Sequence, residues 1–357
     1  MPHAPTRRAT LRLAVAAPLA LLLPAAAAAA LQAGAAAAQP SPGAAVKNTP
    51  PAPAADAAIA RGDAAWARRA EGHVGAHASP VPIGEAIAAY QEALKAQPER
   101  LETCWKLLRA LHFRGEFVAI TKEQKQEVFG PARTVAEAGL DRLARHAGGR
   151  ERLDAMAPVA AARALAGIPE AAPLHLWAGI HWGLWGDTFG RLAAARQGVG
   201  DRLRRYSEIV IAIDERFEYA GGHRLLGRLH TLAPKVPFLT GWVDRDKAVA
   251  ELRRAVALAP DYPLNAVFLA DALLQYQPAH AAEARQLLRR VVERTPGPDR
   301  PEGEVEGEDA VAKARALLTK YPGCSRPSHG GWTAAGRRRC RWRRASSWWR
   351  SRWPGPW

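Results

Sequence analysis

The stretch DKAVAELRRAVALAP, residues 246–260, places small residues at Ala248 and Ala255, a large one between them at Leu252, and a proline at Pro260. Positions i, i+4 and i+7 fall on one face of a helix. Small side chains there let a partner helix approach, and the large one fills the gap between them. Proline cannot extend the hydrogen-bond ladder, so the chain turns after it. The same spacing recurs in IGEAIAAYQEALKAQP (83–98) at Ala86, Tyr90, Ala93 and Pro98. It recurs again in AAEARQLLRRVVERTP (281–296) at Ala284, Leu288, Val291 and Pro296. A repeat length in the thirties is the mark of stacked helical hairpins. Gln275-Tyr276-Gln277-Pro278 supplies the turn between the last two helices of this kind.

Working outward, the partner helices of these hairpins are also visible. VFLADALL (267–274) sets Leu269 and Ala270 where the repeat carries its Leu-Gly pair, and HRLLGRLH (223–230) sets Leu226 and Gly227 there. ETCWKLLRALHFRGEF (102–117) spaces Trp105, Leu108 and Leu111 as core contacts of a helix. The fold class expected is all-α, a tetratricopeptide-like array of helical hairpins (an α-solenoid) over residues 56–321. Such hairpins serve as generic binding surfaces, so the repeat alone says little about function.

The formal charge of +16 would suggest a nucleic-acid partner if it were spread over the chain. It is not: residues 325–357 carry +9 and the first 46 residues +3, which leaves +4 for the body. The charge therefore says little about what the fold binds, and no nucleic-acid partner is expected. Cys104, Cys324 and Cys340 form no metal-like spacing. Cys104 is expected as a small buried residue of a helix.

Arg7, Arg8 and Arg12 precede an uncharged Ala/Leu-rich run, and Ala36-Ala37-Ala38 fits a small-residue cleavage site. Residues 1–38 are expected to be a secretory signal peptide, approximating the twin-arginine type, that directs the chain to the periplasm. An uncleaved membrane anchor is the other reading of the same run. The Pro/Ala-rich residues 39–55 come next as a linker. At the other end, 322–357 holds six of the twelve Trp interleaved with Arg. That composition suits an anionic surface or a segment read out of frame.

PLHLWAGIHWGLWGDTFGRLAAARQ (173–197) departs from the repeat. Ala178, Trp182, Trp185 and Phe189 form one helical stripe, and Trp177, His181 and Leu184 the adjoining one. Two apolar stripes imply burial on more than one side, or a core side and a cleft side. His175 and His181 lie six residues apart on different faces, which suits no metal. TLAPKVPFLTGWVDRD (231–246) is expected as an irregular, partner-facing loop. Gly221-Gly222 permits a close or left-handed backbone approach, but no strand and no G-x-G spacing accompanies it as a phosphate cradle would require.

The segment YAGGHRLLGRLHTLAPKVPFLTGWVDRDKAVAELRRAVALAPDYPLNAVFLADALL (219–274), with HLWAGIHWGLWGD upstream, resembles the T-component family of tripartite ATP-independent periplasmic (TRAP) transporters. The resemblance implies association with the transporter's periplasmic solute-binding protein and a cleft between helices for a hydrophobic small molecule. Trp177, His181, Trp182 and Trp185, with Arg224 and Trp242, are its candidate lining. Members of the family are often lipoproteins, and no cysteine directly follows the apolar run here. A homo-oligomer is compatible with the same reading, as is a generic exported tetratricopeptide adaptor for contacts in the cell envelope. A hydrolase would need a nucleophile with its base, and neither G-x-S-x-G nor H-E-x-x-H occurs. No catalytic residue, metal or cofactor is expected.

Overall fold

The computed structural model of the chain describes residues 52–237 and 240–322. The expected signal peptide, most of the linker and the Arg/Trp-rich tail lie outside them. Among the described residues the chain is all-α, with a lone backbone bridge between Val74 and His77 in place of any strand. Fourteen α-helices are described, in order: α1 (Ala52–Ala67), α2 (Pro80–Ala96), α3 (Leu101–Phe113), α4 (Lys122–Arg145), α5 (Arg150–Ala155), α6 (Pro158–Ala164) and α7 (Ala171–Phe189). Then come α8 (Arg191–Arg196), α9 (Val199–Ile213), α10 (Phe217–Leu232), α11 (Arg245–Leu258), α12 (Pro263–Tyr276), α13 (Ala281–Val292) and α14 (Glu304–Lys320). The first of them starts inside the stretch expected as linker.

The small–large–small positions are where the helices bury. Ala86, Tyr90 and Ala93 of α2, Ala248, Leu252 and Ala255 of α11, and Ala284 and Leu288 of α13 are wholly inaccessible, and Val291 nearly so. The helices stop at Ala96, Leu258 and Val292, just ahead of Pro98, Pro260 and Pro296. Two of the large residues sit on a glycine of the helix they face. A Cβ on Gly62 of α1 would stand 2.5 Å from Tyr90 Cε1, and one on Gly227 of α10 would stand 2.6 Å from Leu252 Cγ. Real contacts of that length do not occur, so only glycine admits the approach. Cys104 is fully buried in α3, as its pattern implies.

Neighbouring helices pack in chain order: α1 on α2, α3 on α4, α7 on α4 and α9, α10 on α9 and α11, α12 on α11 and α13, and α13 on α14. The order then closes on itself. Val305 of α14 is buried in the same apolar cluster as Ala65 of α1 and Ile83 and Tyr90 of α2. Arg69, just past α1, donates to Glu306 of α14 at 2.9 Å. Last helix thus meets first, and the helices form a ring.

Two departures from regular helix shape the interior of this ring. At the end of α3 the chain widens into a π-turn, Arg114–Val118, with Ala119 N–H bonded to the Arg114 carbonyl five residues back. Such turns recur at functional sites because they re-aim the side chains they carry. Near the start of α10, Glu218, Tyr219 and Ala220 are all left-handed, with φ of 49°, 56° and 60°. For residues with a Cβ this conformation costs roughly 1–2 kcal/mol each. Gly221 and Gly222 themselves are not left-handed. They serve close approach instead: a Cβ on Gly221 would lie 2.8 Å from Leu176 Cδ2, and one on Gly222 2.8 Å from Ile211 Cγ1.

Candidate functional site

A cavity open to solvent at its mouth lies within the ring. Its walls come from α3, the π-turn, α7, α10, α12 and α14, so helices from early, middle and late in the chain all contribute. Trp177, Ile180, Leu225 and Phe268 make apolar wall, and Phe117 joins them from the π-turn. Much of this surface is apolar, which is usual for a small-molecule site.

Between the apolar walls stand titratable groups. His112 of α3 has its ring 5.3 Å from that of Trp177. Burial, aided by the fields of His181, Lys313 and Arg224, lowers its pKa to about 3, so the imidazole is neutral. Glu116, carried inward by the π-turn, lies 3.5 Å from Lys125. Its burial outweighs that cation and pushes the carboxyl up to about 7. At the start of α12, Tyr262 has its phenol pushed up to about 12 by burial.

The left-handed run is held by this same wall. Arg224 donates through Nη1 to the carbonyl oxygens of Glu218 (3.3 Å) and Tyr219 (3.0 Å), and to Asn265 Oδ1 at 3.2 Å. Asn265 Nδ2 in turn donates to the Tyr219 and Ala255 carbonyls, both at 3.1 Å. The Arg224 guanidinium stacks over Tyr262 at 4.7 Å, and Tyr219 stacks nearly parallel to Tyr262 at 4.8 Å. One arginine and one asparagine thus satisfy carbonyls that the left-handed turn leaves outside the helix ladder.

Most charges lining the cavity are already neutralised. Arg228 donates to Asp271 at 2.6 Å, Lys313 pairs with Asp309 at 2.5 Å, and Arg294 approaches both oxygens of Glu302, at 3.0 and 3.2 Å. Glu306 is paired with Arg69, yet burial still raises its pKa. Glu218 and Arg224 have no ionic partner within 4 Å among the described residues.

No model of a known protein family matches the chain, and no curated protein matches it.

Of the six residues expected to line a cleft, two meet at this cavity: Trp177 and Arg224. The others are placed elsewhere. His181 is fully buried, with Nε2 2.8 Å from the Leu108 carbonyl and its ring edge-on to Phe129. Trp182 donates from Nε1 to Glu137 at 2.6 Å and packs against Trp185. Arg133 lies over both rings, and Trp185 stacks on Phe189. Trp242 packs edge-on to His230 with Arg204 over its face, inside the 231–246 segment. The reason is that α7 is buried almost all round, packed on α3, α4, α9 and α10, so its two aromatic stripes meet different neighbours. His175, with Nδ1 2.7 Å from the Ala171 carbonyl, is a core histidine lowered to about 4 by burial.

His112, Glu116, Glu218, Tyr262 and the acids in and beside α14 were not singled out by sequence. Around α14, Glu302, Glu306, Asp309 and Lys313 recur at one helical face, a signal indistinguishable from a solvated surface until the ring closes over it.

Proposed function

We propose that the chain is an exported scaffold that binds a small ligand within its ring and a solute-binding protein on its surface, as a T component of a TRAP transporter does. The observation that carries the ligand half is the cavity: apolar walls drawn from helices along the whole chain, with a few polar groups converging between them. Its acids and bases are mostly tied up in ion pairs, and its lining holds no Ser, Thr or Cys among the described residues. That favours holding a molecule over making or breaking a bond.

The tetratricopeptide-like architecture is part of the same proposal. The nine small–large–small positions buried as the repeat requires support it, as do the two glycine contacts at Tyr90 and Leu252. The partner half rests on the sequence resemblance of residues 173–274 alone.

Native mass spectrometry of the protein recovered from the periplasm tests the ligand half. A retained small molecule is expected, and its loss in Ile180→Trp, which fills the cavity. Pull-down from the same compartment tests the partner half, with recovery of a transporter's solute-binding protein expected from both forms. A bare polypeptide mass with no solute-binding protein recovered would remove the proposal.

A further inference from the structure

Among the described residues, Glu218 and Arg224 are the cavity's two charges without an ionic partner, and they carry opposite signs. Every other lining acid has a cation within 3.5 Å: Lys125 for Glu116, Arg294 for Glu302, Arg69 for Glu306 and Lys313 for Asp309. Arg228 is likewise neutralised by Asp271. The Arg224 guanidinium is buried, yet its partners are neutral: two main-chain carbonyls, the Asn265 amide and the face of Tyr262. Its Nε–H and one Nη2 hydrogen have no acceptor among the described residues. A buried guanidinium without a counter-ion is costly, and an anion entering the cavity removes that cost.

The Glu218 carboxylate is unpaired too, and half-buried. It makes no hydrogen bond or ion pair with the described residues, and it stands on the left-handed run at the cavity wall. Arg109, stacked on Trp66 and Trp105, feels the Glu218 charge without pairing to it. Arg224 also holds the backbone carbonyl of Glu218 itself, so the guanidinium and the Glu218 backbone form one unit, from which the carboxylate reaches on its own stem.

Resting on the cavity as a ligand site, we propose that it selects a small zwitterion: the ligand's anionic group on Arg224, its cationic group on Glu218, and its apolar body against Trp177 and Phe268. A ligand with only a carboxylate meets Arg224 and leaves Glu218 repelling it. A ligand with only an amine meets the reverse. One molecule bearing both satisfies both without disturbing the existing ion pairs.

The test is displacement of an uncharged apolar fluorescent dye, N-phenyl-1-naphthylamine, from the full chain. The competitors are leucine, phenylalanine and 6-aminohexanoate, each beside its counterparts lacking the amine or the carboxylate. At least one zwitterion is expected to displace dye at a concentration tenfold or more below both counterparts. Glu218→Gln should erase that preference, weakening the zwitterion and strengthening the carboxylate counterpart, which no longer meets a like charge; the side chain has no bond to lose, so the fold is kept. Arg224→Lys should weaken the zwitterion and the carboxylate alike, with melting measured alongside because Arg224 also clamps the turn. A single-charge counterpart equal to its zwitterion would overturn the proposal, as would failure of every zwitterion against bound dye. Should Ile180→Trp leave dye binding untouched, the cavity reading itself falls, and this proposal with it.

Discussion

Arg69 and Glu306 are 237 residues apart in the chain and 2.9 Å apart in the structure. Their pairing sets the last helix against the first hairpin and makes a ring of what local packing would leave as an open row. The two side chains are each about one-fifth exposed, and Arg69 also lies over the Trp66 ring at 4.6 Å.

The pair is asymmetric, and the asymmetry is testable. Burial raises the Glu306 pKa even though a guanidinium touches it, so desolvation outweighs attraction for this carboxylate. Arg69→Ala strands that charge and also removes a cation from an aromatic face; a loss of about 2–4 kcal/mol in urea unfolding is expected. Glu306→Gln keeps a hydrogen-bonding group and sheds the buried charge, so less than about 1 kcal/mol is expected. Hydrogen exchange should quicken in α14 and in the α1–α2 hairpin for Arg69→Ala, with α4 unaffected. Equal losses from the two substitutions would contradict the burial argument.

Close helix approach predicts opposite outcomes for glycines in different surroundings. Gly227→Ala drives a Cβ to 2.6 Å from Leu252 Cγ and 3.1 Å from the Ala248 carbonyl, and Gly62→Ala to 2.5 Å from Tyr90 Cε1. Each should destabilise by roughly 1–3 kcal/mol through overpacking. Gly84 in α2 has nothing within 4 Å of an added Cβ. There Gly84→Ala should stabilise by up to about 1 kcal/mol, because the helix gains propensity at no steric cost. Denaturant midpoints of the three variants decide the matter.

The helix faces behind those contacts were legible in the sequence because the repeat is local: small, large and small residues share one face within two turns. The cavity was legible only in part, and the reason is again physical. An α7 that is apolar all round does not declare which stripe meets a cavity, so Trp182 and Trp185 looked as eligible as Trp177. Glu302, Glu306 and Asp309 share a face that solvent would satisfy equally well, until a contact 237 residues away covers it. Gly221-Gly222 marked the right place on the chain but for another reason, since the left-handed residues are the three that precede it.

Buried titratable groups give the protein a pH dependence with a definite sign. His112 is lowered by burial to about 3, and His175, His181 and His230 to about 4. The folded state holds them neutral, whereas unfolded histidines take up protons near pH 6.5. Their contribution is fully present above about pH 6.5 and is lost as pH falls toward 4. Glu116 acts oppositely. With its carboxyl pushed up to about 7, the folded state binds a proton that the unfolded chain releases above about 4.5. Stability from this group therefore falls as pH rises from 4.5 to 7. Glu116→Gln should raise the melting temperature at pH 8, by an amount equivalent to about 2–3 kcal/mol, and change it little at pH 4.5. Melting of the parent chain should drop steeply between pH 6.5 and 4.5, because four histidines outweigh one carboxyl.

Asn265 tests whether the left-handed turn depends on its clamp. Its side chain is fully buried, accepts from Arg224 and donates to the Tyr219 and Ala255 carbonyls. Three consecutive left-handed residues with side chains persist only where surrounding contacts over-determine them. Asn265→Asp keeps the acceptor and the volume but removes both donors, so the Tyr219 carbonyl keeps Arg224 and the Ala255 carbonyl keeps the Ala259 N–H, while the new carboxylate pairs with Arg224. A loss of less than about 2 kcal/mol is expected. Asn265→Leu removes the acceptor as well with no charge in return, and about 2–4 kcal/mol is expected. If the turn is what sets the Glu218–Arg224 spacing, both variants should also lose ligand retention in native mass spectra under conditions where circular dichroism still reports full helicity. Retention at parent levels by a folded Asn265→Leu protein would show that the spacing is set by something other than this clamp.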